Sequence, residues 1–162
     1  MREFDENGRI LCKIQARIFE QSIEKAKCSS AVFLRRFMLS SAAARFDNIF
    51  YLFESCSDDA VFEEIENQFG VSSYGSEKYS ANELYWMGYV YRFWCYTHEK
   101  TSKQVYEIIK PKELRLLYFP YHSLDNAAVV ERILEAKNIT ENETDLTARG
   151  VEILRKLQNT AV

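Results

Sequence analysis

The sequence predicts an all-α fold, and three observations carry that prediction. Apolar residues recur at three- and four-residue steps along most of the chain. Ser, Thr or Asp stands just before most of those runs, where a helix start needs a side-chain acceptor. No stretch of four to eight residues alternates cleanly between turn residues, as a half-buried strand would. The expected architecture is one multi-helix bundle over 1–162, with a small helical lobe over 1–70 if the chain has two parts; the break would then fall in the loop 71–79.

A first amphipathic helix is expected over about 8–27, with Ile10, Leu11, Ile14, Ile18, Phe19, Ile23 and Ala26 on one face. Lys13, Gln15, Arg17, Glu20 and Glu24 fill the other. Ser29 or Ser30 caps a second helix, Ser40-Ser41 interrupts it, and 42–51 continues as helix. Ser57-Asp58-Asp59 starts the next, which Gly70 stops. Ser80 with Glu83 is a capping box opening a helix to about Tyr96. Ser102 caps another that ends before Pro111, and Pro111 opens a short helix to Tyr118. Residues 120–123 read as a connection, 126–137 as a helix after Asp125, and 146–157 as a last helical segment.

Composition excludes several classes. The 162 residues carry 47% hydrophobic and 28% charged residues with a net charge of −3, which is neither a strongly basic nucleic-acid coat nor a disordered acidic tail. Five glycines and two prolines exclude linker-like and collagenous chains. No apolar run approaches the ~20 residues of a membrane span, and the first residues have no apolar signal core. Cys12, Cys28, Cys56 and Cys95 are scattered singly and read as buried, reduced thiols of a cytoplasmic protein. Asn138-Ile139-Thr140 and Asn142-Glu143-Thr144 match the glycosylation pattern by chance on that reading.

Chemistry is sparse. His98 and His122 are the only imidazoles, too few for a closed metal site with the scattered thiols, so no metal is expected. Cys95 and His98 are a thiol and a base three residues apart, but nothing nearby orients them, and a packed thiol is the plainer reading. There is no Gly-rich phosphate loop, and the acid pairs Asp58-Asp59 and Glu63-Glu64 suit a solvated helix start. Neither a cofactor nor an enzyme activity is expected.

The helix over 80–96 is crowded with aromatics. At 100° per residue, Leu84, Met87, Val90, Tyr91, Trp94 and Cys95 gather on one side, while Tyr85, Tyr89, Arg92 and Tyr96 lie on the other. Gly88 suits close approach by another element. A buried, unpaired Arg92 would be costly, so it either pairs with a carboxylate, Glu99 being a candidate, or opens onto a groove. Tyrosine and arginine on one face is the composition of interface hot spots. Residues 80–110 also have a helix-turn-helix outline with Lys103, Lys110, Lys112 and Arg115 nearby, although the second helix holds no arginine.

The run 79–96, with its Tyr-Trp-Met-Gly-Tyr-Val-Tyr-Arg-Phe-Trp-Cys-Tyr core, followed by 101–114 and Tyr118-Phe119-Pro120-Tyr121-His122-Ser123-Leu124-Asp125, resembles a family of small bacterial proteins of predicted toxin–antitoxin operons. A looser likeness covers Phe33-Leu34-Arg35-Arg36-Phe37-Met38 and Phe62-Glu63-Glu64-Ile65. The resemblance implies an antitoxin-like or accessory protein that contacts an ADP-ribosyltransferase-like toxin from a neighbouring gene. It supplies no catalytic residues. On this reading Tyr85, Tyr89, Arg92 and Tyr96 contact the protein partner, and no membrane is involved. The alternative is a DNA-binding regulator using 80–110.

Overall fold

The computed structural model describes residues 1–54 and 56–140. Among these, every regular element is helical and no strand occurs, so the expected fold class is observed. The helix expected over 146–157 lies outside the described residues, as does the Asn142 glycosylation pattern.

Helix α1 (Glu6–Lys25) starts two residues earlier than its apolar pattern suggested, because Asp5 accepts the Gly8 N–H at 3.0 Å and caps it. Helices α2 (Ser30–Met38) and α3 (Ser41–Phe46) are capped by Ser29 and Ser40. The continuation expected to Tyr51 breaks after Phe46, and a 3-10 turn covers Ile49–Phe53. Helix α4 (Asp58–Phe69) follows its Ser57 cap and stops at Gly70. Helix α5 (Ala81–Thr97) carries the expected Ser80/Glu83 capping box. Thr101, not Ser102, caps α6 (Ser102–Ile108), with Gln104 closing a second box. Helices α7 (Pro111–Leu116) and α8 (Tyr118–Tyr121) follow, so 118–121 is helical where a connection was expected from 120.

Contacts divide the chain into two units, Met1–Asn126 and Ala127–Val162. The loop 71–79 is fastened to the start of α2. Ser29 N–H donates to Tyr74 O at 3.0 Å, Ser30 N–H to Glu77 O at 2.9 Å, and Tyr79 N–H to Ser30 Oγ at 2.9 Å. Gly75 sits at φ 76 against Ser29, where a Cβ would lie 2.8 Å from the serine Cβ. Of the second unit, the described part is almost entirely helix α9 (Asn126–Ala136), which buries Val129, Val130 and Ile133 and ends at Asn138 in the left-handed region.

The first unit is organised by α1 and α5, which pack antiparallel. Gly8 abuts the Tyr96 ring and Gln15 Nε2 donates to Gly88 O at 3.1 Å. A Cβ on Gly88 would fall 2.8 Å from Ala16 Cα and 3.0 Å from Gln15 O. The missing side chain is therefore what lets the two backbones touch. The predicted inner face of α5 is confirmed: Leu84, Met87, Val90, Tyr91, Trp94 and Cys95 are all buried. Phe19 continues that core into α2, meeting Phe37 edge-on at 5.0 Å.

Gly88→Ala tests this contact by its sign. Helix propensity alone would raise stability by about 1 kcal/mol. Overpacking against a backbone atom costs roughly 1–3 kcal/mol. A net fall in the urea midpoint is expected; a rise would contradict the close approach of α1 and α5.

Candidate interaction surface

Among the described residues Arg92 is the most buried charge, 1% exposed. Its guanidinium is fully engaged from three sides: Nε donates to Gln15 Oε1 at 2.7 Å, Nη1 to Asp47 Oδ1 at 2.7 Å and Nη2 to Ser102 Oγ at 2.7 Å. Asp47 in turn accepts the Ser102 N–H at 3.0 Å and the Ser102 hydroxyl at 2.6 Å, so its carboxylate also caps the start of α6. Phe46 faces the guanidinium at 5.6 Å. Arg92 is an internal tie and cannot contact a partner from this position, which corrects its assignment as a surface residue. Gln15, placed on the solvent face of α1 by its polarity, is likewise buried.

The expected carboxylate was the wrong one. Helix α5 ends at Thr97, so Glu99 leaves the Arg92 row and adopts φ 51 in the following turn. It faces Arg2 at 3.5 Å instead. Tyr96 is also internal: its hydroxyl donates to Asp5 Oδ1 at 2.6 Å, and Arg2 stacks 4.6 Å from its ring centroid. Burial, then that bond to a carboxylate, pushes the Tyr96 phenol up to about 12, while the same bond and the Gly8 N–H hold Asp5 below the usual carboxylate range.

Two of the four tyrosine-row residues reach solvent. Tyr85 is exposed and Tyr89 half-buried. Their arginines come from α1, not α5. Arg17 is fixed to Asp58 by bonds of 2.6 and 2.9 Å and feels the charge of Tyr51 and, less strongly, of Tyr85. Phe4 stacks on Tyr89 at 6.4 Å, and Arg9 sits over Phe4 at 5.6 Å. Burial pushes the Tyr89 phenol up, and Arg9 opposes that shift. Arg9, Lys13 and Arg17 form an exposed row at four-residue steps, and Ile10 on the same helix is exposed. The sequence contained that row but gave no sign that it runs alongside Tyr85 and Tyr89.

The remaining chemistry is closed or dispersed. Burial pushes the thiols of Cys12 and Cys95 up to about 12, against the opposing effect of Arg92. Among the described residues, no three His, Cys, Asp or Glu side chains gather as a metal site, and no helix is long and apolar enough to cross a membrane. On α6, Val105 and Tyr106 point inward, Gln104 folds back onto Thr101, and Lys110 pairs with Glu107 at 3.2 Å. Arg115 is held by Glu83 at 2.9 Å and lies 4.3 Å from the Tyr79 ring. Lys103 is thus the one cation that α6 itself presents to solvent.

No protein family, curated protein or solved structure matches the chain.

Thiol labelling of the native protein at pH 8 checks the buried cysteines. With thiols raised to about 12, Cys12 and Cys95 hold a thiolate in about one molecule in ten thousand and are shielded as well. Half-exposed Cys56 is expected to react first. Early labelling of Cys95 would reopen a catalytic role for it.

Proposed function

We propose that this protein is a non-enzymatic, protein-binding regulator, similar to an antitoxin that neutralises a toxin by direct contact. The observation that carries this reading is the two-helix surface of Tyr85 and Tyr89 on α5 beside Arg9 and Arg17 on α1. Tyrosine and arginine supply large contact area with a polar tip, and they dominate the energetics of protein interfaces. The surface sits on two helices locked together by the Gly88 contact and the Arg92 ties, so little ordering cost accompanies binding. The resemblance of 79–125 to antitoxin-like proteins names the class of partner: a toxin encoded beside this gene.

The DNA-binding reading has less support. The candidate recognition helix offers one solvent-facing lysine, and the nearby arginine is neutralised by glutamates. Phosphate neutralisation needs several free cations along the docked element.

Co-expression with the neighbouring toxin is expected to rescue growth, and the two products are expected to co-purify. Tyr85→Ala combined with Tyr89→Ala should weaken the complex at least about tenfold, since each hot-spot truncation costs about 1–2 kcal/mol or more. The double variant should keep its helical signal, because neither ring fills the core. Failure to rescue and to co-purify would overturn the proposal. Operator binding that falls steeply with salt, with no protein complex, would favour the DNA reading.

A further inference from the structure

A groove of about 270 Å³ lies between α2, the loop 71–79 and the α6–α7 junction. Its charged and polar lining is Arg35, Lys110, Lys112, Tyr74 and Tyr106, and the rest is aliphatic. No carboxylate lines it. Arg17, Arg45, Arg92 and Arg115 are all held by carboxylates. Arg35 and Lys112 are exposed, and no carboxylate among the described residues engages either one. Lys110 divides itself between Glu107 at 3.2 Å and the Tyr106 ring at 4.2 Å.

The walls are fixed rather than loose. Tyr74 stands on backbone tied to Ser29 at 3.0 Å. The chain entering Lys110 is held by the Tyr91 hydroxyl, which donates to Ile109 O at 2.7 Å. Pro111 then locks the first turn of α7. Three cations are therefore gathered around one small space by elements distant in sequence. An anion entering there meets the positive charge of Arg35 and Lys112, with Lys110 beside them.

We propose that this groove binds a small phosphate-bearing molecule with a planar ring, the chemistry of a nucleoside monophosphate. Arg35 offers a planar fork suited to two phosphate oxygens, and the lysines add point charges. Tyr74, 78% exposed, presents a free ring for stacking. The site is separate from the Tyr85/Tyr89 surface, and its occupancy does not depend on the toxin-binding reading.

Isothermal titration of the full chain with adenosine monophosphate, adenosine, inorganic phosphate and a hexaglutamate peptide tests this. Adenosine monophosphate should saturate one site and bind at least about tenfold tighter than adenosine or phosphate alone. Arg35→Ala and Lys112→Ala should each weaken it about tenfold with an unchanged melting midpoint, since both side chains are exposed. Tyr74→Ala should weaken adenosine monophosphate and leave phosphate unchanged. No saturable binding of the monophosphate, phosphate binding as tightly as the monophosphate, hexaglutamate binding in its place, or an affinity unmoved by the combined arginine and lysine variants would overturn the assignment.

Discussion

The guanidinium of Arg92 sets the terms for the rest of the fold. A charge buried to 1% exposure survives only with its hydrogen bonds met, and here three elements supply them: Gln15 from α1, Asp47 just after α3 and Ser102 at the start of α6. Each partner is fixed in turn. Asp47 holds the first N–H of α6, and Gln15 also donates to Gly88 O. Turning α5 about its axis would strand the charge and separate Gly88 from Ala16. Rotation of α5 is thus blocked twice, once by charge and once by shape.

That fixed rotation decides which tyrosines face out. Tyr85, Tyr89, Arg92 and Tyr96 lie on one row of α5, yet the row does not share one fate. Near the start of α5, Tyr85 is exposed, within electrostatic range of Arg17 on α1. Near its end, the segment before α1 folds across the row: Arg2 N–H donates to Thr97 O at 2.7 Å, Asp5 takes the Tyr96 hydroxyl, and Phe4 lies 4.8 Å from Phe93. The exposed remainder is short and rigid, and Arg9 and Arg17 of a second helix, paired with Glu6 and Asp58, line its edge. A docking surface composed this way presents its rings at little conformational cost.

Much of the fold was legible because its signals are local. The Ser29, Ser57 and Ser80 caps, the Gly70 stop and Pro111 at a helix start each fix a boundary within one turn of themselves. Gly88 announced a close approach without naming the other helix. What stayed hidden was nonlocal. Gln15 is polar and was assigned to solvent, because nothing within α1 shows that an arginine 77 residues away needs its amide. Glu99 was a reasonable partner by spacing, but a left-handed turn removes it. Asp47 had no helical pattern to mark it. The arginines beside Tyr85 and Tyr89 were likewise visible only as the outer face of another helix.

The setting of α5 depends on the Arg92–Asp47 pair being an interior bond of the monomer. A double-mutant cycle in urea with Arg92→Met and Asp47→Asn measures this directly. The structure predicts a favourable coupling of at least about 1 kcal/mol, with each single variant strongly destabilised because it leaves a buried polar group unmatched. Near-zero coupling, with both single variants as stable as the parent, would place the guanidinium outside and contradict the central tie.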